Sequence, residues 1–259
     1  MQDNQPTGSW QVLSFPPSND CDLACWSLEH YGISYRDARH TLPWLALKAK
    51  SAGGKGDFPT VANGKVALNN LDEVFDYFEP RVPADKRLLP EDGGQQAEVK
   101  KLWEGFHKQI GYAAAQWAYY YLLPSRSLMA APFAAGCPWY EKLWVQLTYP
   151  LLAGVVRKGI GITGQTLETA MPVILSTLDD VDKLLSDGQP FLVGDRPTIA
   201  DFGFAAMAVP LIWPPEFGGA LPEFERIPSV MKDKVLEWRQ RPSGLFTLRM
   251  YKDYRHKSG

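Results

Sequence analysis

The chain is poor in the residues that announce a chemistry by themselves. Three cysteines, Cys21, Cys25 and Cys137, and four histidines are spread over 259 residues. An odd, unpatterned cysteine count excludes a disulfide framework. Cys21 and Cys25 stand one helical turn apart, which is neither a redox Cys-x-x-Cys nor a metal pair, and no histidine lies at ligand spacing, so no metal is expected. There is no excess of positive charge: 27 Lys and Arg face 29 Asp and Glu, for a formal net charge of -2. That balance excludes the basic footprint a phosphate backbone demands, and nucleic acid is not expected as a partner. Long hydrophobic runs are missing too. "YAAAQWAYYYLLP" falls short of the roughly 18 to 20 residues that span a bilayer, and the opening "MQDNQPTGS" has no signal-peptide pattern. The expectation is a cytoplasmic protein with no membrane segment. No internal repeat is visible.

Aromatic residues, by contrast, are plentiful: nine Trp, eleven Tyr and twelve Phe make up 12% of the chain. Many fall between Trp103 and Trp144, where they either build a core or line an apolar pocket. The first eighty residues alternate between strand and helix signals. "WQVLS" (10–14) reads as a strand, Asn19 to Tyr31 as a helix ended by Gly32, "ISYRD" as a second strand, and 43–50 as a short helix. "PTVANGKVAL" reads as a hairpin about Asn63-Gly64, the preferred pair for a type I′ turn. "NNLDEVFDYFE" places Leu71, Val74, Phe75 and Phe78 on one helical face. The order is β-α-β-α-β-β-α. A polar stretch rich in Pro, Asp and Gly between Pro80 and Gly94 marks a linker.

Everything beyond the linker reads as helix: one long helix over 95–123, a second over 138–157, and an apolar stripe from Leu167 to Leu185 that Pro172 should kink or restart. In "FLVGDRPTIADFGFAAMA", Thr198 followed three residues later by Asp201 forms a capping box, so two side chains satisfy orphan backbone donors at the start of an almost wholly apolar helix. Such a helix belongs at the centre of its domain, and the box has a structural role.

This order of elements, with Phe58-Pro59 entering the hairpin and "GDRPTIADF" in the helical half, resembles the cytosolic glutathione S-transferase superfamily from Trp10 to about Arg241. The resemblance implies an α/β thioredoxin-like N-terminal domain (1–82), a linker (83–94) and an all-α C-terminal domain (95–259). It implies glutathione as co-substrate, Pro59 as a cis proline and a homodimer. The closing "RPSGLFTLRMYKDYRH" resembles the tails of some bacterial members. In serine- and cysteine-type members a reactive residue opens the first helix, which places Ser18, or Cys21, as the catalytic candidate. The helix start supplies unpaired N–H groups and the positive end of the dipole, and a hydroxyl adds one more donor to a thiolate. A thiol of pKa about 8.5 is only about 3% ionised at pH 7, and a lowering by about two units leaves roughly three quarters reactive. Ser18 reads equally well as a plain N-cap. Cys21 shares a helical stripe with Ala24, Cys25, Leu28 and Tyr31, which fits a small packed residue.

By the same resemblance, Phe15, Ser18, Lys55, Phe58, Pro59, Asn70 and Leu71 would contact glutathione. The chain departs from the family at the third helix, where Asn70-Leu71 replaces the acidic-Ser pair that binds the γ-glutamyl end. Losing one charge-assisted hydrogen bond there costs about 1.5 to 3 kcal/mol. A small apolar second substrate would meet Phe15, Trp103, Phe106, Tyr112, Trp117 and Trp213. Two other readings stand beside this one. "GIGITG" satisfies G-x-G-x-x-G at Gly159, Gly161 and Gly164, but no strand and acidic residue follow as a dinucleotide fold requires, so it reads as a loop between helices. The other is a transferase fold that has lost ordinary glutathione use and serves as a ligand-binding or structural module, or catalyses another reaction in its apolar cleft, in place of a glutathione thiolate acting on an apolar electrophile by conjugation, isomerisation or reductive elimination.

Overall fold

The computed structural model describes residues 9–255. Strand β1 (Trp10–Ser14) leads into helix α1 (Asn19–His30) and strand β2 (Tyr35–Arg39). Helix α2 (Leu42–Ser51), strands β3 (Thr60–Ala62) and β4 (Ala67–Leu68), and helix α3 (Leu71–Phe78) follow. The sheet runs β2-β1-β3-β4, with β1 parallel to β2 and antiparallel to β3. β2 begins two residues later than the expected 33–37. The physical cause lies in the end of α1: Gly32 takes φ +71°, its N–H bonds the Glu29 carbonyl, and Ile33 N–H reaches back to the Leu28 carbonyl at 2.9 Å. This closing motif consumes Gly32 and Ile33 before the strand can start. The hairpin also differs from a type I′ turn. Only Gly64 has positive φ, and the Asn63 side-chain oxygen accepts from Lys65 and Val66 N–H, doing the work a second left-handed residue would do.

A short 3-10 turn (Ala84–Lys86) leads to the helical part. Buried Glu79 fixes this connection by accepting from Tyr31 Oη (2.6 Å), Leu88 N–H (2.8 Å) and Leu89 N–H (3.0 Å). The expected long helix is divided into α4 (Gly93–Gly105), a π-helical turn (Phe106–Gly111) and α5 (Tyr112–Leu122). The short α6 (Arg126–Phe133), which the sequence reading passed over, carries Pro132 in its last turn. α7 (Trp139–Gly159) is followed by α8 (Thr166–Leu184). Pro172 sits inside α8 without breaking it. The kink occurs in α7, where Thr148 leaves helical geometry two residues before Pro150. Of the glycines of "GIGITG", Gly159 ends α7, and Gly161 and Gly164 lie in the loop that leads to α8.

At the centre, α9 (Ile199–Met207) is buried along its whole length, with Asp201 accepting from Leu192 and Thr198 N–H, each at 2.7 Å. Short α10 (Val209–Ile212), then α11 (Ser229–Arg239) and α12 (Pro242–Tyr254) close the chain. The last helix returns to the first. Arg255 pairs with Asp22 (2.8 Å) and with Glu29, Tyr251 Oη donates to Asp22 (2.9 Å), and Trp26 Nε1 donates to the Tyr254 carbonyl (2.9 Å). Trp26 also stacks on Phe202 at 4.3 Å. α1 is therefore clamped between α9 and α12, and its N-terminus is held in a fixed place. Among the described residues, no helix is long and apolar enough to cross a membrane.

Candidate functional site

The fixed end of α1 opens at the floor of a cavity of about 600 Å³ between the two halves of the chain. Ser18 caps α1: its Oγ accepts the Cys21 N–H at 3.3 Å, and its own N–H bonds the Phe15 carbonyl at 2.9 Å. Beyond this cap the hydroxyl has the Cys21 thiol as its side-chain neighbour. Asn19 and Asp20 N–H, the first two donors of the helix, have no backbone or side-chain acceptor among the described residues. Ser18 therefore has the cap role, and the unpaired N–H groups beside it are donors that an anion would need.

Cys21, the second candidate at this helix start, is buried. It is 3% exposed, its Sγ accepts from Phe15 N–H at 3.4 Å, and it lies outside the cavity lining. Burial pushes its thiol up to about 12, against the smaller lowering effect of its Ser18 contact. A buried thiol shifted in this direction stays protonated near neutral pH and packs as a small apolar side chain.

The Phe58–Pro59 peptide is cis, and the Phe58 ring meets Phe15 edge-on at 5.8 Å. Both rings line the cavity. The Phe58 backbone N–H and carbonyl have no partner among the described residues. At the start of α3 the residues satisfy one another: Asn70 Oδ1 caps Glu73 N–H (2.8 Å), and Glu73 Oε2 accepts from Asn69 N–H (2.7 Å) and Asn69 Nδ2 (3.0 Å). Lys55, exposed, points to Glu73 Oε1 at 3.6 Å, and its N–H bonds Asn69 Oδ1. These contacts hold the Glu73 carboxyl below its ordinary range, the backbone hydrogen bond of Asn69 being the largest cause. Leu71 is buried in the core and presents only backbone.

The aromatic candidates divide. Phe15, Tyr112 and Trp213 line the cavity. Trp103, Phe106 and Trp117 do not: Trp103 donates to Asp72 Oδ1 (3.0 Å), Phe106 packs on Phe204, and Trp117 on Trp238. From this run, which includes the π turn, His107, Lys108, Gly111, Tyr112, Ala115 and Tyr119 face the cavity, while Trp103, Phe106 and Trp117 face the core. Gly111 is required there, since a Cβ would stand 2.5 Å from Met207 Sδ. Trp213 holds a left-handed backbone (φ 57°), kept by Arg239, which donates to the Ile212 and Trp213 carbonyls, each at 2.7 Å, and by Trp213 Nε1 on the Pro222 carbonyl.

With this geometry, a family model for the C-terminal domain of glutathione S-transferases matches residues 164–246. The chain has the glutathione transferase fold. Solved structures agree with it along nearly its whole length. A glutathione S-transferase of Xanthobacter autotrophicus Py2 is 18% identical, covers 95% of this chain and 93% of its own, and superposes with a TM-score of 0.53. The β-etherase LigF of Sphingobium sp. strain SYK-6 is 16% identical over 93% and 99%, at 0.57. The glutathione transferase GSTFuA3 of Phanerochaete chrysosporium is 16% identical over 97% and 99%, at 0.59. No curated protein matches the sequence. In this transferase fold the cavity lies where the α/β half meets the helical half, and the side chains sequence reasoning missed are chiefly His107, Asp20 and Tyr119. Their only sequence signal was position: His107 stands four residues after Trp103, within the π turn.

Proposed function

We propose that the protein is a glutathione transferase-like enzyme that brings a thiolate and an apolar second substrate together in the cavity beside Ser18. The observation that carries this reading is the Ser18 hydroxyl at the opening of a clamped helix, in the lining of a largely apolar cavity. Glutathione would supply the thiol. Ser18 Oγ–H and the Asn19 and Asp20 N–H groups stabilise the ionised sulfur, the unpaired Phe58 backbone accepts and donates to the cysteinyl amide, and the Leu71 and Asp72 N–H groups face the γ-glutamyl carboxylate. Buried Phe15, Met207 and Trp213 give the cavity apolar walls, which strengthen each of these hydrogen bonds. Lys55 is the nearest cation for the glycyl carboxylate.

The fit is partial at α3. Asn69, Asn70, Glu73 and Lys55 spend their polar groups on each other, so that end of the tripeptide finds backbone donors and no free side chain. This observation favours the second reading, a transferase fold that uses its cavity without ordinary glutathione. Calorimetric titration with glutathione decides between them. A dissociation constant in the low millimolar range or tighter, weakened in Ser18→Ala by about ten- to a hundredfold, supports the enzyme; no heat at several millimolar supports the module.

A second copy of the chain is the proposed partner. α7 exposes Trp139, Leu143, Leu147 and Leu151 four residues apart, an apolar row on either side of the Thr148 kink that can pack on a second copy. Leu147→Glu should shift the mass found by light scattering from dimer to monomer, and a monomeric parent protein would refute the pairing.

A further inference from the structure

A second cavity, of about 620 Å³, lies on the α/β half and, among the described residues, shares no lining residue with the one beside Ser18. Gln11 and Leu13 of β1 stand in register with Arg36 and Ala38 of β2, so these four share one face of the sheet and form its floor. The end of α2 and the 136–138 loop form its walls. Gln11 is the one residue of β1 that is not buried. A strand covered on both faces carries apolar side chains throughout, so the glutamine marks sheet that α2 leaves open. One polar group is held into this cavity from the core. Glu141 of α7 is fully buried, and one carboxylate oxygen accepts from Thr41 N–H at 2.7 Å and Thr41 Oγ at 3.2 Å. The other oxygen holds His40 Nδ1 at 2.7 Å. The carboxylate thereby keeps a proton on Nδ1 and fixes the ring. His40 lines the cavity, and its Nε2 has no partner among the described residues.

We propose that this cavity is a second ligand site, for a phosphate monoester of a small, sugar-sized polar body. Charge balance selects the ligand. Asp37, the acidic residue of the lining, is taken by Arg39 at 2.6 Å. Arg36 has only the neutral Gln11 amide, at 3.3 Å, and Lys48 has no hydrogen bond or ion pair among the described residues. Two positive charges are left over. The carboxylates behind the cavity are spent elsewhere, Glu141 on Thr41 and His40, and Asp22 and Glu29 on Arg255. A phosphate monoester carries about -1.5 to -2 near neutral pH, which matches the two unspent cations. A guanidinium that grips two oxygens, with a lysine as a point charge, is a donor set suited to phosphate. Arg36 and His40 stand four residues apart along the strand direction, about 13 Å at about 3.3 Å per residue. A phosphate at Arg36 therefore leaves room for the polar body to reach the His40 imidazole. The volume is that of a site for a small molecule and exceeds what inorganic phosphate alone fills. This site is independent of the thiol chemistry beside Ser18.

Calorimetric titration of the full chain with ribose 5-phosphate, at low salt and with no thiol present, tests the site. A dissociation constant below about 1 mM is expected, with ribose and inorganic phosphate each binding at least about tenfold more weakly. Arg36→Gln and Lys48→Gln should each weaken the ester by about ten- to a hundredfold, the loss of one charge-assisted hydrogen bond. Both side chains are exposed, so neither change disturbs the core. Lys252→Gln removes the same charge from the exposed surface of α12 and should alter the affinity by less than about twofold. Nitrogen resonances of the four histidines report where the ester sits, and that of His40 should move while those of His30 and His107 stay in place. No heat at about 10 mM, equal affinity for the ester and inorganic phosphate, equal losses in Lys48→Gln and Lys252→Gln, or an unmoved His40 signal would overturn the proposal. Because no thiol is present and none of these residues lines the first cavity, such a failure leaves the reading of Ser18 standing.

Discussion

The tail that returns to α1 gives the sharpest stability prediction. Arg255 is 7% exposed, and the Asp22 side chain it faces is fully buried, with contacts at 2.8 Å and 3.2 Å. Removing the guanidinium in Arg255→Ala leaves Asp22 with the Tyr251 hydroxyl alone, and Glu29 with the Tyr35 hydroxyl at 2.7 Å. Deleting one member of a buried pair costs about 3 to 5 kcal/mol, because the remaining charge has lost water as well as its partner. The surviving tyrosine contacts put the expected loss near the lower limit, about 3 kcal/mol. For a chain of this size that is a fall of about 6 to 12 °C in melting temperature. Thermal unfolding followed by circular dichroism at neutral pH measures it. Asp22→Asn combined with Arg255→Met should recover most of the loss, since no unpaired charge remains inside. A loss below about 1 kcal/mol, or a double variant no more stable than the single, would refute the claim that this pair is buried and coupled.

Other outcomes follow from the same structure. Thr198→Ala removes a hydroxyl that accepts from Ala200 N–H and donates to Asp201, and should destabilise by about 1 to 2 kcal/mol in urea denaturation. Burial holds the His30 pKa down from 6.5 to about 4. A depressed histidine supports the fold fully above its unfolded value and loses that support as pH falls, so stability should drop between about pH 6.5 and 4. Buried Asp201, raised to about 6, works in the opposite sense over the lower part of that range. His30→Phe should flatten the drop in melting temperature measured across it. The thiols of Cys21 and Cys137, each raised to about 12 by burial, should resist a disulfide reagent near pH 8 until the protein is denatured. Rapid labelling of the native protein would contradict the packing of both.

The local signals in the sequence carried furthest where neighbours along the chain do the physical work. The Thr198–Asp201 box, the Ser18 cap and the Gly32 termination all join groups within six residues of each other, and each is present. The same locality explains the Asn63-Gly64 hairpin, although its turn type depended on a side-chain hydrogen bond that residue preference does not specify. Helical spacing alone did not separate Trp103, Phe106 and Trp117, which pack in the core, from Tyr112, which lines the cavity, because core and cavity faces of one helix share the same period. Aromatic density there marked core and cavity alike.

The sequence by itself determined the β-α-β-α-β-β-α order of the first eighty residues, the capped starts of α1 and α9, and a cysteine set without a disulfide framework, since these depend on periodicity, capping chemistry and composition. Only the tertiary structure decided which face of the interrupted helix lines the cavity and that Cys21 is sealed away. It also joined Arg255 to Asp22 and Glu141 to His40. Those pairings link residues far apart in the chain, whose meeting is set by how buried helices pack, and no local preference encodes it.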